Sequence, residues 1–159
     1  MPKFLTTHAG SLPRPHDLLD LMKLKVSGKP YDKAAYDKRV RTAVEECVRR
    51  QVQAGIDIVT DGEQSKPGFF LYVNVRLEGF TPRPGMRRKF FPTETAAFPE
   101  YYAQYFKQAM LGGTVAPVVP MVCTGPVKYR GEAALAQDNA NLKAGAGQRR
   151  GGGGVLLRG

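Results

Sequence analysis

The chain has 159 residues, a formal net charge of +10, 42% hydrophobic and 24% charged residues. That is enough apolar sequence for one globular core, but no single run reaches the roughly 18 apolar residues of a membrane span, and no apolar h-region of a secretory signal opens the chain, so the cytoplasm is the expected location. Two cysteines, Cys47 and Cys123, are too few for a disulfide framework and are expected to be reduced.

The positive charge raises nucleic acid as a partner. Its distribution argues against one. Lys143, Arg149, Arg150 and Arg158 lie in an acid-free tail, and Arg83, Arg87, Arg88 and Lys89 form one dense cluster beside Phe90 and Phe91 in a proline-rich loop. Basic residues next to aromatics can grip single strands. The simpler reading is a solvated loop held down by two phenylalanines, with a pocket for a small anion between those extremes.

In chain order, residues 3–7 read as a short strand and residues 8–15 as a Gly- and Pro-broken loop. Residues 17–25 carry five apolar side chains and read as a helix ended by Gly28 and Pro30. Residues 32–54 give the strongest helical pattern: Tyr36, Val40, Ala43, Val44, Cys47, Val48 and Val52 fall on one stripe. Gly55 is placed as its left-handed stop, and Ile56, Ile58 and Val59 follow as a buried strand that ends in Thr60-Asp61-Gly62-Glu63. A helix, a glycine, a strand and an acidic loop form the repeating unit of a parallel α/β architecture, in which ligands bind beyond the carboxyl ends of strands.

Further on, residues 69–77 fit helix or strand, 81–99 read as irregular, and 100–110 as a helix. Residues 115–123 are β-rich and predicted to end in a loop at Thr124-Gly125-Pro126, and 132–143 read as a helix. From Ala144 the sequence turns to glycine and arginine without periodicity. The reading is therefore a domain at 1–143 and a disordered or out-of-frame tail at 144–159.

Three segments in order carry a resemblance: residues 6–15 (Thr-Thr-His-Ala-Gly-Ser-Leu-Pro-Arg-Pro), residues 51–64 ending in Asp-Gly-Glu-Gln with residues 76–80 after them, and residues 123–129 (Cys-Thr-Gly-Pro-Val-Lys-Tyr). Together they resemble the cobalamin-independent methionine synthase-like family. The resemblance implies a partial (β/α)8 TIM barrel with about three of its strands. It implies a zinc-dependent methyl transfer from 5-methyltetrahydrofolate to a thiol such as homocysteine, where zinc holds the thiolate, the reactive form of a mostly protonated thiol. Thiol addition to an epoxide, as with coenzyme M, is the alternative within the family, and a basic nucleic-acid module the alternative outside it. Small-molecule thiol and folate are the implied partners.

By position, Gly10 and Ser11 resemble the loop that binds the amino-acid carboxylate, and Glu63 the acid that accepts its ammonium. Asp61 is expected to support that loop or cap the next turn. His8 marks a looser branch than the synthases proper, and Arg14 could pair with a carboxylate or sulfonate or stand as a surface charge. The family's zinc ligands, a His-x-Cys pair, a Glu and a second Cys, lie downstream of the Cys-Thr-Gly-Pro segment. The implied chain is thus an amino-terminal part without metal ligands, inactive alone. Cys47 is expected in the core and Cys123 in packing.

Overall fold

A computed structural model describes residues 4–85, 91–105, 120–147 and 156–157. Its elements are α1 (His16–Val26), α2 (Lys33–Gln53), β1 (Ile58–Val59), α3 (Phe69–Arg76), β2 (Leu77–Pro82), α4 (Pro92–Ala97), α5 (Pro99–Tyr105), β3 (Met121–Tyr129), α6 (Glu132–Gly147) and β4 (Leu156–Leu157). The architecture is mixed α/β. The chain forms two compact units, Met1–Lys66 with Glu132–Gly159, and Pro67–Gly131.

The first unit is organised by α2. Asp32 caps it, its carboxylate accepting the Ala35 N–H at 3.0 Å, and Gly55 ends it at φ 80°. The apolar stripe is buried from Tyr36 to Val48, as its spacing predicts. Leu18 and Met22 of α1 complete that core, and a two-pronged pair from Arg39 to Asp17 (2.6 and 3.2 Å) ties α1 to α2. The Arg39 hydrogen bond holds the Asp17 carboxyl below its usual range.

Helix α6 packs on α2 and continues to Gly147, past the predicted end at Lys143. The reason is Gly145. A Cβ there would stand 3.3 Å from Glu45 Cα and 3.4 Å from Val48 Cγ2, so the missing side chain lets two backbones approach. Leu156 and Leu157 of the glycine-rich tail pair in parallel with Ile58 and Val59. On the other side of β1 the predicted strand at residues 3–7 shows, among the described residues, one parallel bridge, Thr7 with Ile58. Side chains replace the rest of that ladder: Thr6 N and Oγ1 each reach Asp57 Oδ2 at 2.9 Å, and Thr7 Oγ1 reaches the Ile58 carbonyl at 2.9 Å.

In the second unit, α3 runs directly into β2, which pairs antiparallel with β3. The predicted loop at Thr124-Gly125-Pro126 lies instead inside β3, where the register shifts between Glu78 and Phe80. Pro126 has no N–H for a ladder, and the extra residues bulge opposite Gly79. Gly79 has φ 90°, and a Cβ on it would meet the Pro126 carbonyl oxygen at 2.6 Å. Cys123 is exposed on this strand rather than packed, its Sγ 3.4 Å from the Gly125 carbonyl oxygen. Of the predicted helix at 100–110 and strand at 115–123, residues 106–119 lie outside the described residues, as do Arg87, Arg88, Lys89 and Phe90 of the basic cluster and Arg149, Arg150 and Arg158 of the tail.

Candidate functional site

Beyond Val59 the chain is held by a side chain rather than by a strand. Gln51 of α2 accepts the Thr60 N–H at its Oε1 (3.0 Å) and donates from Nε2 to the Thr60 carbonyl (2.8 Å). The acidic turn follows at once. Gln64 N donates to the Asp61 carbonyl at 3.3 Å, and both central residues have positive φ, Gly62 at 59° and Glu63 at 56°. Glycine adopts that backbone freely, whereas glutamate does so at a cost of roughly 1–2 kcal/mol.

Short side chains satisfy the turn's amides. Thr60 Oγ1 accepts the Gly62 N–H at 3.2 Å, and Asp61 Oδ1 accepts the Glu63 N–H at 2.9 Å. Lys66 places Nζ 3.5 Å from Asp61 Oδ2. No side chain fits at Gly62, because a Cβ would sit 2.5 Å from Cys47 Sγ and 3.0 Å from Leu12 Cβ. Cys47 is core, as its place on the stripe predicts, and burial raises its thiol pKa.

The loop at residues 11–14 lies against this turn. Leu12 N donates to the Gly62 carbonyl at 3.0 Å, and the buried Gln64 returns its Nε2 to the Leu12 carbonyl at 3.2 Å. The Ser11 hydroxyl donates to the Glu63 carboxylate. Arg14 donates to the Glu63 carbonyl from Nε (3.2 Å) and Nη2 (2.8 Å), and from Nη2 to the Lys66 carbonyl (2.7 Å). Burial lowers the Arg14 pKa, and the nearby Glu63, Tyr36 and Asp61 act against that shift.

Four of the predicted site residues, Ser11, Arg14, Asp61 and Glu63, are thus brought together. Gly10 adjoins them at φ 85°. His8 is not joined to them: its Nε2 is buried with no hydrogen-bond partner among the described residues. Arg14 faces backbone carbonyls in place of a ligand anion.

The sequence reading misses the supports behind the turn. The Tyr36 hydroxyl donates to the Ser65 carbonyl at 3.3 Å, and burial pushes its pKa up to about 12. Ser65 Oγ donates to Asp138 Oδ1 of α6 at 2.8 Å. Gln51 carries a usable signal: it falls four residues after Cys47, on the buried stripe, and a buried amide needs partners. Gln64 has no comparable signal, because its burial depends on a loop that is 51 or 52 residues away in sequence.

Among the described residues no three His, Cys, Asp or Glu side chains gather as metal donors. Cys47 is sealed in the core, and the two facing loops supply no Cys or His donor, so these residues do not fit a zinc ion. No described helix is long and apolar enough to cross a membrane.

Chemically, the site offers a hydroxyl and a glycine-flanked turn beside a carboxylate. Two cations (Arg14, Lys66) balance two acids (Asp61, Glu63). The family model for the cobalamin-independent synthase catalytic domain matches residues 4–83, which contain every residue of the two facing loops. A 5-methyltetrahydropteroyltriglutamate–homocysteine methyltransferase of Parvibaculum lavamentivorans is 29% identical over 80 residues, 50% of this chain and 10% of that protein. Proteins of the same name from Streptomyces avermitilis and Mycolicibacterium paratuberculosis are each 26% identical over 121 residues, 76% of this chain and 14% and 15% of theirs. The chain therefore spans between 10% and 15% of the length of these relatives. By its match across half its length, in the segment that builds the site, the chain belongs to the cobalamin-independent synthase catalytic-domain family.

Proposed function

We propose that the chain is the amino-terminal part of a methyltransferase of the methionine synthase type, and that its loops at 10–14 and 61–66 hold the amino-acid end of a thiol substrate such as homocysteine. The contact between the Ser11 hydroxyl and the Glu63 carboxylate carries the reading. An α-amino acid presents its carboxylate and ammonium side by side, so its site needs donors and an acid as neighbours. The Gly10 and Ser11 backbone N–H groups supply donors for the carboxylate, Glu63 accepts from the ammonium as well as from the Ser11 hydroxyl, and Asp61 holds the Glu63 amide. Three parallel segments in sequence order, at Thr7, Ile58–Val59 and Leu156–Leu157, support the start of a (β/α)8 barrel.

In the parent reaction the thiolate attacks the N5-methyl of the folate: a carbon–sulfur bond forms, the carbon–nitrogen bond breaks, and N5 takes a proton. The described residues hold no donor set for a thiol-binding zinc, so the role assigned to this chain is amino-acid recognition. Coenzyme M fits less well than homocysteine, because it has no ammonium for Glu63.

Calorimetric titration of L-homocysteine into the full chain tests this. Glu63→Gln is expected to weaken binding at least tenfold, about 1.4 kcal/mol, and Ser11→Ala by less. Undiminished homocysteine affinity in a folded Glu63→Gln variant, or equal affinity of the native chain for coenzyme M, would refute the reading.

A further inference from the structure

We propose that Arg14 is a positioning residue: its guanidinium holds the Glu63 backbone in the left-handed conformation that presents the carboxylate to Ser11, and it does not bind the substrate's anionic group. The inference rests on the amino-acid-binding reading for its functional consequence, but its structural content stands by itself.

Glu63 has φ 56°, a conformation that L side chains rarely adopt, so the turn must be held by contacts from outside it. Three of the contacts that hold it, two from Arg14 and one from within the turn, converge on one carbonyl. The Glu63 oxygen receives Arg14 Nε, Arg14 Nη2 and the Lys66 N–H at 3.2, 2.8 and 3.0 Å. Arg14 Nη2 also reaches the Lys66 carbonyl at 2.7 Å, so the planar group spans the whole turn from residue 63 to residue 66.

This use leaves little of the guanidinium for an anion. A carboxylate or sulfonate is gripped through a pair of N–H groups on one edge of the fork. Here the Nε–Nη2 edge faces Glu63, and the second Nη2 proton, which the other edge would need, faces Lys66. Ser11 and Arg14 sit three residues apart on one loop and hold Glu63 at both ends, the hydroxyl on its carboxylate and the guanidinium on its carbonyl. One loop therefore fixes both the place and the direction of the acid.

Lysine preserves the charge but cannot bridge two carbonyls with a flat fork. Amide hydrogen exchange across residues 61–66 of the full chain, with α2 as the internal reference, separates the roles. In Arg14→Lys the 61–66 amides are expected to exchange at least tenfold faster while α2 is unchanged, and homocysteine binding is expected to weaken tenfold or more. In Arg14→Ala, millimolar guanidinium is expected to restore slow exchange at 61–66, and methylammonium is not. Native-like exchange at 61–66 in Arg14→Lys would overturn the proposal, as would equal loss of protection in α2, which marks general destabilisation. If the native chain does not bind homocysteine, the amino-acid reading falls, and the exchange measurements still decide the role of Arg14.

Discussion

Gly62 shows how closely a single residue can be specified. Its φ of 59° strains any side chain, and a Cβ would also stand 2.5 Å from Cys47 Sγ. Gly55 has a φ of 80° but nothing within 4 Å of its virtual Cβ. The pair separates backbone strain from steric conflict. Gly55→Ala is expected to cost about 1 kcal/mol, and Gly62→Ala about 1–3 kcal/mol more, in urea denaturation at constant m-value. Equal costs would mean that α2 yields freely at Cys47. At this scale Asp-Gly-Glu is legible in the sequence as a turn at a strand end, and it points to a site only together with the segments at 6–15 and 123–129, because glycine and acids are also ordinary turn residues. The roles of Arg14 and Gln64 are not, because each is defined by carbonyls that only the folded chain brings within reach.

Helices with a long apolar stripe are the legible elements. Over 21 residues α2 repeats its buried positions often enough that both ends fall within a residue of the predicted ones. Helix α6 is harder to read, because its contact with α2 depends on an absent side chain at Gly145, and hydropathy periodicity registers only side chains that are present. Gly145→Leu is expected to push α6 off α2 and destabilise the first unit by about 1–3 kcal/mol, with protection lost first in α6 amides under native-state exchange. A leucine accommodated without loss would show that the close backbone approach is dispensable. In the second unit, Thr124-Gly125-Pro126 has the composition of a turn, yet a nine-residue strand, about 30 Å long at roughly 3.3 Å per residue, can absorb it as a bulge.

At the scale of the whole molecule, the first unit is assembled from two separated stretches, and the Ser65–Asp138 hydrogen bond joins them. Every residue of the two facing loops lies in this unit. Replacing residues 67–131 with a Gly/Ser linker of about eight residues, able to span roughly 25 Å, is expected to leave the α2 amides as protected as in the intact chain. Loss of that protection would show that the two units fold only together. The parallel order was legible from the helix–glycine–strand–acidic-loop succession, whereas the pairing of Leu156 and Leu157 was hidden by their glycine-rich surroundings. The carboxamide of Gln51 has a consequence of its own. By taking both the N–H and the C=O of Thr60, it ends the ladder with a side chain of α2, so the point from which the acidic turn sets out is anchored to the helix and not to a neighbouring strand.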